Sequence, residues 1–266
     1  GYGSSLTLTK SGTSLSSTTI YVRLKTGQTA GSFTDNVTFS STNASSQSVY
    51  VTGDVYANTA VSTSPTNANV CSGTSTSFTV SASGANLTYQ WQVSTDSTNY
   101  SNLSNGGIYL GATSSTLFLS SSLTNAYSRY RYRCVVTGSC SSATSSAATL
   151  NVKSLPSVSS NPTNVTVCAG TGTSFSVTAT GTGITYQWQY STDGTTFNDL
   201  TNTGIYTGAT TSTLSLSSSL TTSYNNYYYR CVISGSCSPS ATSSAAQLTV
   251  NSTPSTPGSI SGYSSI

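Results

Sequence analysis

One block of text occurs twice in this chain, and that repetition limits its architecture more than any other feature. Cys71, Tyr89, Trp91, Cys134 and Cys140 recur 97 positions later as Cys168, Tyr186, Trp188, Cys231 and Cys237. The segments between them recur too: "LTYQWQVSTDS" with "ITYQWQYSTDG", "GIYLGATSSTLFLSSSL" with "GIYTGATTSTLSLSSSL", "YRCVVTGSC" with "YYRCVISGSC". A duplicated text folds as a duplicated unit, so the repeat is read before any local element. The units are placed at residues 58–153 and 154–250, each closing on a Val-terminated segment ("AATLNV", "AAQLTV") and a Pro-containing linker. Residues 1–57 lack the Cys and Trp marks and read as a partial sandwich, either the second half of another domain or one completed by another chain. Its expected strands are "SLTLT", "TIYVRLKT", "GSFTDNVTFSS" and "QSVYVTGDV". Residues 251–266 read as a linker and the first strand of a further domain.

Composition sets the class. Charged residues make up 5% of the chain, against roughly 25% in ordinary globular proteins. Tyr occurs 18 times, and Ser, Thr, Asn and Gly fill most of the remainder. Disordered chains are charged and poor in aromatics; this one is the reverse. Thr, Val and Tyr favour strands, and the strong helix formers are scarce. The fold class is all-β. A chain this poor in charge tends to self-associate, so its surface is expected to carry glycans or to be buried in an assembly. It begins with Gly1 and contains no Met, which reads as a processed or excised product.

Within the first repeat, "TSFTVSAS" alternates Phe78, Val80 and Ala82 inward, and "LTYQWQVS" alternates Tyr89, Trp91 and Val93. In "YRYRCVV", Tyr130, Tyr132, Cys134 and Val136 share one face. Trp91 follows Val80 by eleven residues, the interval from strand B to the core Trp of an immunoglobulin domain. Tyr132, two residues before Cys134, matches the tyrosine corner of such sandwiches. Val177, Trp188, Tyr229 and Cys231 repeat this layout. The expected architecture is tandem immunoglobulin-like β-sandwiches: two complete repeats plus a partial N-terminal sandwich.

The motifs "VCSGTSTSFTV", "TYQWQVSTD", "GATSSTLFL" and "YRCVVTGSC", with their second copies, resemble the immunoglobulin-like repeats of very large secreted proteins from Bacteroidetes-type bacteria. The resemblance covers about residues 59–250. It implies an extracellular, cell-surface protein of adhesin or appendage type. "DST" at Asp96–Thr98 resembles an O-glycosylation signal of the same group, which makes Ser97 a candidate glycan carrier.

In an extracellular chain, six cysteines, three per repeat, are expected to form disulfides. Val80 and Val177 stand where antibody domains carry their strand-B Cys. The usual intersheet bridge is therefore missing, and Cys134 and Cys231 are expected as buried core thiols. The disulfide candidates are Cys71, Cys140, Cys168 and Cys237, paired first as Cys71–Cys140 and Cys168–Cys237. Those two segments lie toward opposite ends of a regular sandwich, so a hairpin bridge (Cys134–Cys140) and an interdomain link (Cys71–Cys237) stay open. A bridge within one repeat closes about 70 residues and contributes about 2–4 kcal/mol through chain entropy.

His and Glu are both absent, which removes Ser-His-Asp and Cys-His catalysis from this chain. Asp96 and Asp193 stand about one repeat apart, and no two Asp residues lie close in sequence except Asp193 and Asp199, so no glycosidase pair is expected. Asp96 and Asp193 occupy equivalent "STD" turns, where Asp caps its own backbone. No catalytic residue, metal site or cofactor is expected. Arg129, Arg131 and Arg133 alternate along the Cys134 strand, outward on one sheet face, and are the possible surface contact, against the simpler reading of a solvated face. Eight cations are too few and too scattered for nucleic acid, and no apolar run approaches the ~20 residues of a membrane span. Tyr100, Tyr109, Tyr206 and Tyr228 are the aromatic candidates for stacking on sugars. The expected function is a non-enzymatic structural repeat segment, a spacer or assembly module in adhesion or appendage formation. Its partners would be neighbouring domains or identical subunits in a filament. The alternative is a glycan-binding module of an adhesin or secreted hydrolase.

Overall fold

A computed structural model describes residues 19–24 and 26–253. The first paired strands are β1 (Gly31–Ser41) and β2 (Ala44–Val55), an antiparallel hairpin turning at Asn43, whose φ is 67°. Asn tolerates this left-handed conformation better than most residues. Residues 19–24, expected as part of the strand "TIYVRLKT", carry no strand, and "SLTLT" lies outside the described residues. Phe39, Val49 and Tyr50 of the hairpin remain exposed, as does Tyr21.

The first repeat then runs through β3 (Ala60–Thr63), β4 (Ala68–Cys71), β5 (Thr76–Thr79), β6 (Ser81–Ser83), β7 (Thr88–Ser94) and β8 (Ser101–Asn102). It continues with β9 (Tyr109–Leu110), β10 (Thr116–Leu119), β11 (Arg131–Thr137), β12 (Ser142–Thr144) and β13 (Ala148–Lys153). One face of the sandwich is the sheet β4-β13-β11-β7-β8, with β12 also paired to β11. The other comprises β5-β10-β9 and the pair β3-β6. In immunoglobulin terms β7 is strand C, β11 strand F, and β13 the main part of strand G.

The second repeat copies this order. Its strands are β14 (Ser157–Ser160), β15 (Val165–Cys168), β16 (Thr173–Ser176), β17 (Thr178–Thr180), β18 (Thr185–Ser191) and β19 (Asn198–Asp199). They are followed by β20 (Tyr206–Thr207), β21 (Thr213–Leu216), β22 (Tyr228–Ser234), β23 (Ala241–Thr242) and β24 (Ala246–Asn251). The sheet order β15-β24-β22-β18-β19 matches that of the first repeat.

Each core is built by period-two alternation. On β11, Tyr132, Cys134 and Val136 are buried while Arg131 and Thr137 are exposed. Opposite them on β7 stands Trp91, paired with Cys134 and at 0% exposure, as is Trp188 opposite Cys231. A buried indole N–H needs an acceptor. Trp91 Nε1 donates to the Ser114 carbonyl and Trp188 Nε1 to the Thr211 carbonyl, both at 2.9 Å. Val80 and Val177 are buried in the positions that hold Cys in antibody domains, and Cys134 and Cys231 are fully buried free thiols. Burial pushes both thiols up to about 11.

Tyr132 departs from the tyrosine-corner reading. Its ring stacks on Phe78 at 4.9 Å, and its hydroxyl pairs with the Tyr109 hydroxyl at 3.2 Å. Lying two residues before Cys134 on a strand, it shares the inward face, so its oxygen meets another side chain inside the sandwich. Tyr229 and Tyr206 repeat the pair at 3.1 Å.

One strand in each repeat sets the position of the junction between repeats. β4 runs parallel to β13, with Cys71 opposite Lys153, and β15 runs parallel to β24, with Cys168 opposite Asn251. Each of these cysteines therefore sits where the chain leaves its repeat.

Candidate functional site: the junction between repeats

Cys71 is bonded to Cys237, with their Cα atoms 5.8 Å apart and a sequence separation of 166. This corrects the first expected pairing, Cys71–Cys140 with Cys168–Cys237. In each sandwich the end of β4 or β15 lies at the exit, while the loop after β11 or β22 lies at the entrance. Partners at opposite ends of one sandwich cannot meet, because bridged Cα atoms must lie within about 7 Å. The exit of one repeat faces the entrance of the next, so the bridge forms between repeats. Cys140 and Cys168 are free and exposed.

Hydrogen bonds and close packing surround the bridge. The Ser154 amide donates to Thr182 Oγ1 at 2.9 Å, and the Thr182 amide donates back to the Ser154 carbonyl at 3.1 Å. The Cys237 sulfur lies 3.8 Å from the Lys153 carbonyl. A Cβ placed on Gly235 would come within 3.0 Å of Pro156 Cγ and 3.1 Å of the Thr182 carbonyl, so the absent side chain admits the linker. The linker is held on both sides, between one sandwich and the next. The residues that sequence reasoning missed are Ser154, Thr182 and Gly235. Nothing in their local text marks them, since Ser, Thr and Gly occur throughout.

The other sequence-derived candidates do not gather into a site. Arg131 is exposed at the start of β11, and Arg129 precedes the strand in a left-handed turn with φ 71°. Arg133 belongs to a stacked surface ladder. Its Nε donates to Gln92 Oε1 at 2.8 Å, and its guanidinium lies 3.9 Å from the Tyr100 ring centre. Arg230, Gln189 and Phe197 make the same ladder in the second repeat. Tyr100 is thereby covered, Tyr109 and Tyr206 are spent on their inward hydroxyl pairs, and Tyr228 is half-buried. None of the four is a freely exposed platform.

Ser97 is exposed at φ 72°, the turn position that Gly194 fills at φ 74° in the second repeat. Beside it, Asp96 accepts the Asn99 and Thr98 amides at 2.8 and 2.9 Å, which holds its carboxyl far below the usual range. Asp193 accepts the Thr196 and Thr195 amides, both at 2.8 Å, with the same effect. Carboxylates saturated by backbone donors stabilise turns and are poor proton carriers. Among the described residues, no group of three or more His, Cys, Asp or Glu could hold a metal ion.

The sandwich topology and the duplicated core define tandem immunoglobulin-like domains. The chain belongs to a family known as a domain of unknown function, DUF8696, which matches twice, at residues 60–154 and 158–252. A comparison with curated proteins by sequence finds no match. Among solved structures the chain is similar to an I-band fragment of titin, at 16% identity and a TM-score of 0.57, covering 84% of this chain and 75% of that one. It is also similar to Sidekick-1 immunoglobulin domains 1–4, at 17% identity and a TM-score of 0.53, covering 84% and 58%. At such identities the likeness concerns the fold.

Proposed function

We propose that this chain is a non-enzymatic spacer segment of an extracellular surface or filament protein, built to hold consecutive domains in one fixed line. The supporting observation is the Cys71–Cys237 bridge between repeats, reinforced by the Ser154–Thr182 hydrogen bonds. A flexible tether would leave interdomain motion as the default; a covalent bond beside a clamped linker suppresses it. A disulfide also favours an oxidising compartment, and no helix among the described residues is long and apolar enough to cross a membrane. The bacterial surface setting rests on the resemblance of the repeat motifs. Small-angle scattering of the full chain tests the reading. A single elongated shape is expected for the oxidised chain, broadening to many interdomain angles in Cys71→Ser. Equal flexibility in both would refute it.

A second reading has one observation in its favour. Tyr190, Tyr206, Tyr224 and Tyr227 line a groove of about 340 Å³ in the second repeat together with Asp199 and Thr201. Aromatic faces beside hydroxyl and carboxylate groups suit a sugar. Glycan-array binding that is lost in Tyr227→Ala would support this reading; no binding would leave the groove as packing.

A further inference from the structure

The bonded junction has an unbonded counterpart one repeat further on. Cys168 ends β15 as Cys71 ends β4, each in parallel register with the last strand of its own repeat. The backbone that presents the two sulfurs is the same. Ser72 donates to the Lys153 carbonyl at 2.8 Å, and Ala169 to the Asn251 carbonyl at 2.8 Å. Gly73 donates to the Leu123 carbonyl and Gly170 to the Leu220 carbonyl, both at 2.8 Å, while Thr74 and Thr171 close back on the cysteine carbonyls at 3.1 Å. Yet Cys71 is bonded, and Cys168 is free and exposed.

The linker text is duplicated as well. Ser154-Leu155-Pro156-Ser157 at the closed junction becomes Ser252-Thr253-Pro254-Ser255 after the second repeat, three of the four residues being identical. Pro156 is the residue that packs on Gly235 of the following repeat, and Ser154 the one that bonds Thr182. Both the sulfur and the linker chemistry are thus present a second time.

We propose that the exit end of the second repeat is a docking site for a further repeat of this same kind, whose cysteine at the position of Cys237 forms a disulfide with Cys168. The receiving geometry is already seen twice. Cys237 lies 3.8 Å from the carbonyl of Lys153, 84 residues earlier, and Cys140 lies 3.4 Å from the carbonyl of Tyr56, also 84 residues earlier. At Cys140 the place of the incoming linker is held by this chain's own Tyr56. The partner of Cys168 is therefore a repeat that follows in line, rather than the Cys140 loop of a second copy. The inference rests on the junction geometry and stands whether or not the chain acts as a spacer.

Closing the bridge removes two protons and two electrons from two thiols, and the oxidant is a small-molecule or protein disulfide. The thiolate of one cysteine attacks the donor disulfide, forming a mixed disulfide and releasing one donor thiolate. The second cysteine's thiolate then attacks the sulfur of the first, forming the new S–S bond and releasing the other donor thiolate. The donor ends as two thiols.

The test replaces residues 255–266 with a further repeat. A copy of residues 157–252 is placed directly after Pro254, and the protein is refolded in a glutathione redox buffer. Non-reducing peptide mapping is expected to find Cys168 joined to the added cysteine at the Cys237 position, alongside Cys71–Cys237. Alkylation of Cys168 should fall from full to trace. Cys168→Ser should lose the new bridge and keep the old one. A second extension, carrying a copy of residues 59–153, offers the cysteine at the Cys140 position instead. The proposal is overturned if Cys168 stays open to alkylation in both extensions while Cys71–Cys237 has formed, or if it bonds Cys140 of another molecule.

Discussion

Pulling the chain by its two ends should bypass most of it. A force entering at the first repeat reaches Cys71, crosses to Cys237 and leaves through β24, so the 166 residues spanned by the bridge carry no load. At roughly 3.3–3.6 Å per extended residue, about 550–600 Å of contour is locked away. The β1–β2 hairpin, the β3–β4 end of the first repeat and the β23–β24 end of the second can still open, together releasing under roughly 200 Å in smaller events. In Cys71→Ser, or after reduction, the load instead passes through both sandwiches in series, and each family match of about 95 residues should unfold as its own step of about 300 Å. Single-molecule force spectroscopy with handles at the two ends reads the difference directly. Two steps of that size in the oxidised wild-type chain would show that force does not travel through the bridge, and the spacer reading would lose its main support.

Three further outcomes are expected. Under native conditions iodoacetamide should label Cys140 and Cys168 within minutes and leave Cys134 and Cys231 untouched until the chain unfolds, because burial pushes those two thiols up to about 11. Replacing Trp91 or Trp188 by Phe should cost about 2–4 kcal/mol each in urea unfolding, from lost volume and an orphaned carbonyl at Ser114 or Thr211, with the two variants agreeing within about 1 kcal/mol. Alkaline pH should unfold the protein. Desolvation, then the Tyr109 and Tyr206 hydroxyl pairs, hold the Tyr132 and Tyr229 phenols neutral far above the ordinary range. The unfolded chain ionises them near pH 10, so the folded state binds more protons above that pH. Stability is full below about pH 10 and falls as pH rises, by about 2–3 kcal/mol per unit for the two groups. Native near-ultraviolet circular dichroism together with an unchanged urea midpoint well above pH 10 would contradict this.

Some elements of the junction could be read early and others could not. Strand alternation around Trp91 and Cys134 identified the core face, because a period of two is a local property and the second copy repeats it at Trp188 and Cys231. The fate of Tyr132 was only half legible. Its inward side follows from parity with Cys134, but its hydroxyl partner, Tyr109, is on β9 in the opposite sheet. The arginines alternate in the text, yet Arg129 falls in a left-handed turn before β11 begins, and no spacing rule marks that boundary. "TIYVRLKT" has the composition of a strand, but residues 19–24 carry none. Strand formation needs a hydrogen-bonded neighbour as well as propensity.

The amino-acid order by itself determined an all-β chain, two equivalent units, a tryptophan at the centre of each, and the lack of the His and Glu that most acid–base catalysis uses. These depend on composition and short-range periodicity, which the text carries in full. Which sulfur meets which was decided only in three dimensions. Cys71 is 69 residues from Cys140 and 166 from Cys237, and loop entropy alone favours the shorter closure. A sandwich holds its two ends apart, however, while stacking brings the exit of one unit against the entrance of the next. Rigid geometry outweighs chain entropy there, and it joins two separate domains by a covalent bond.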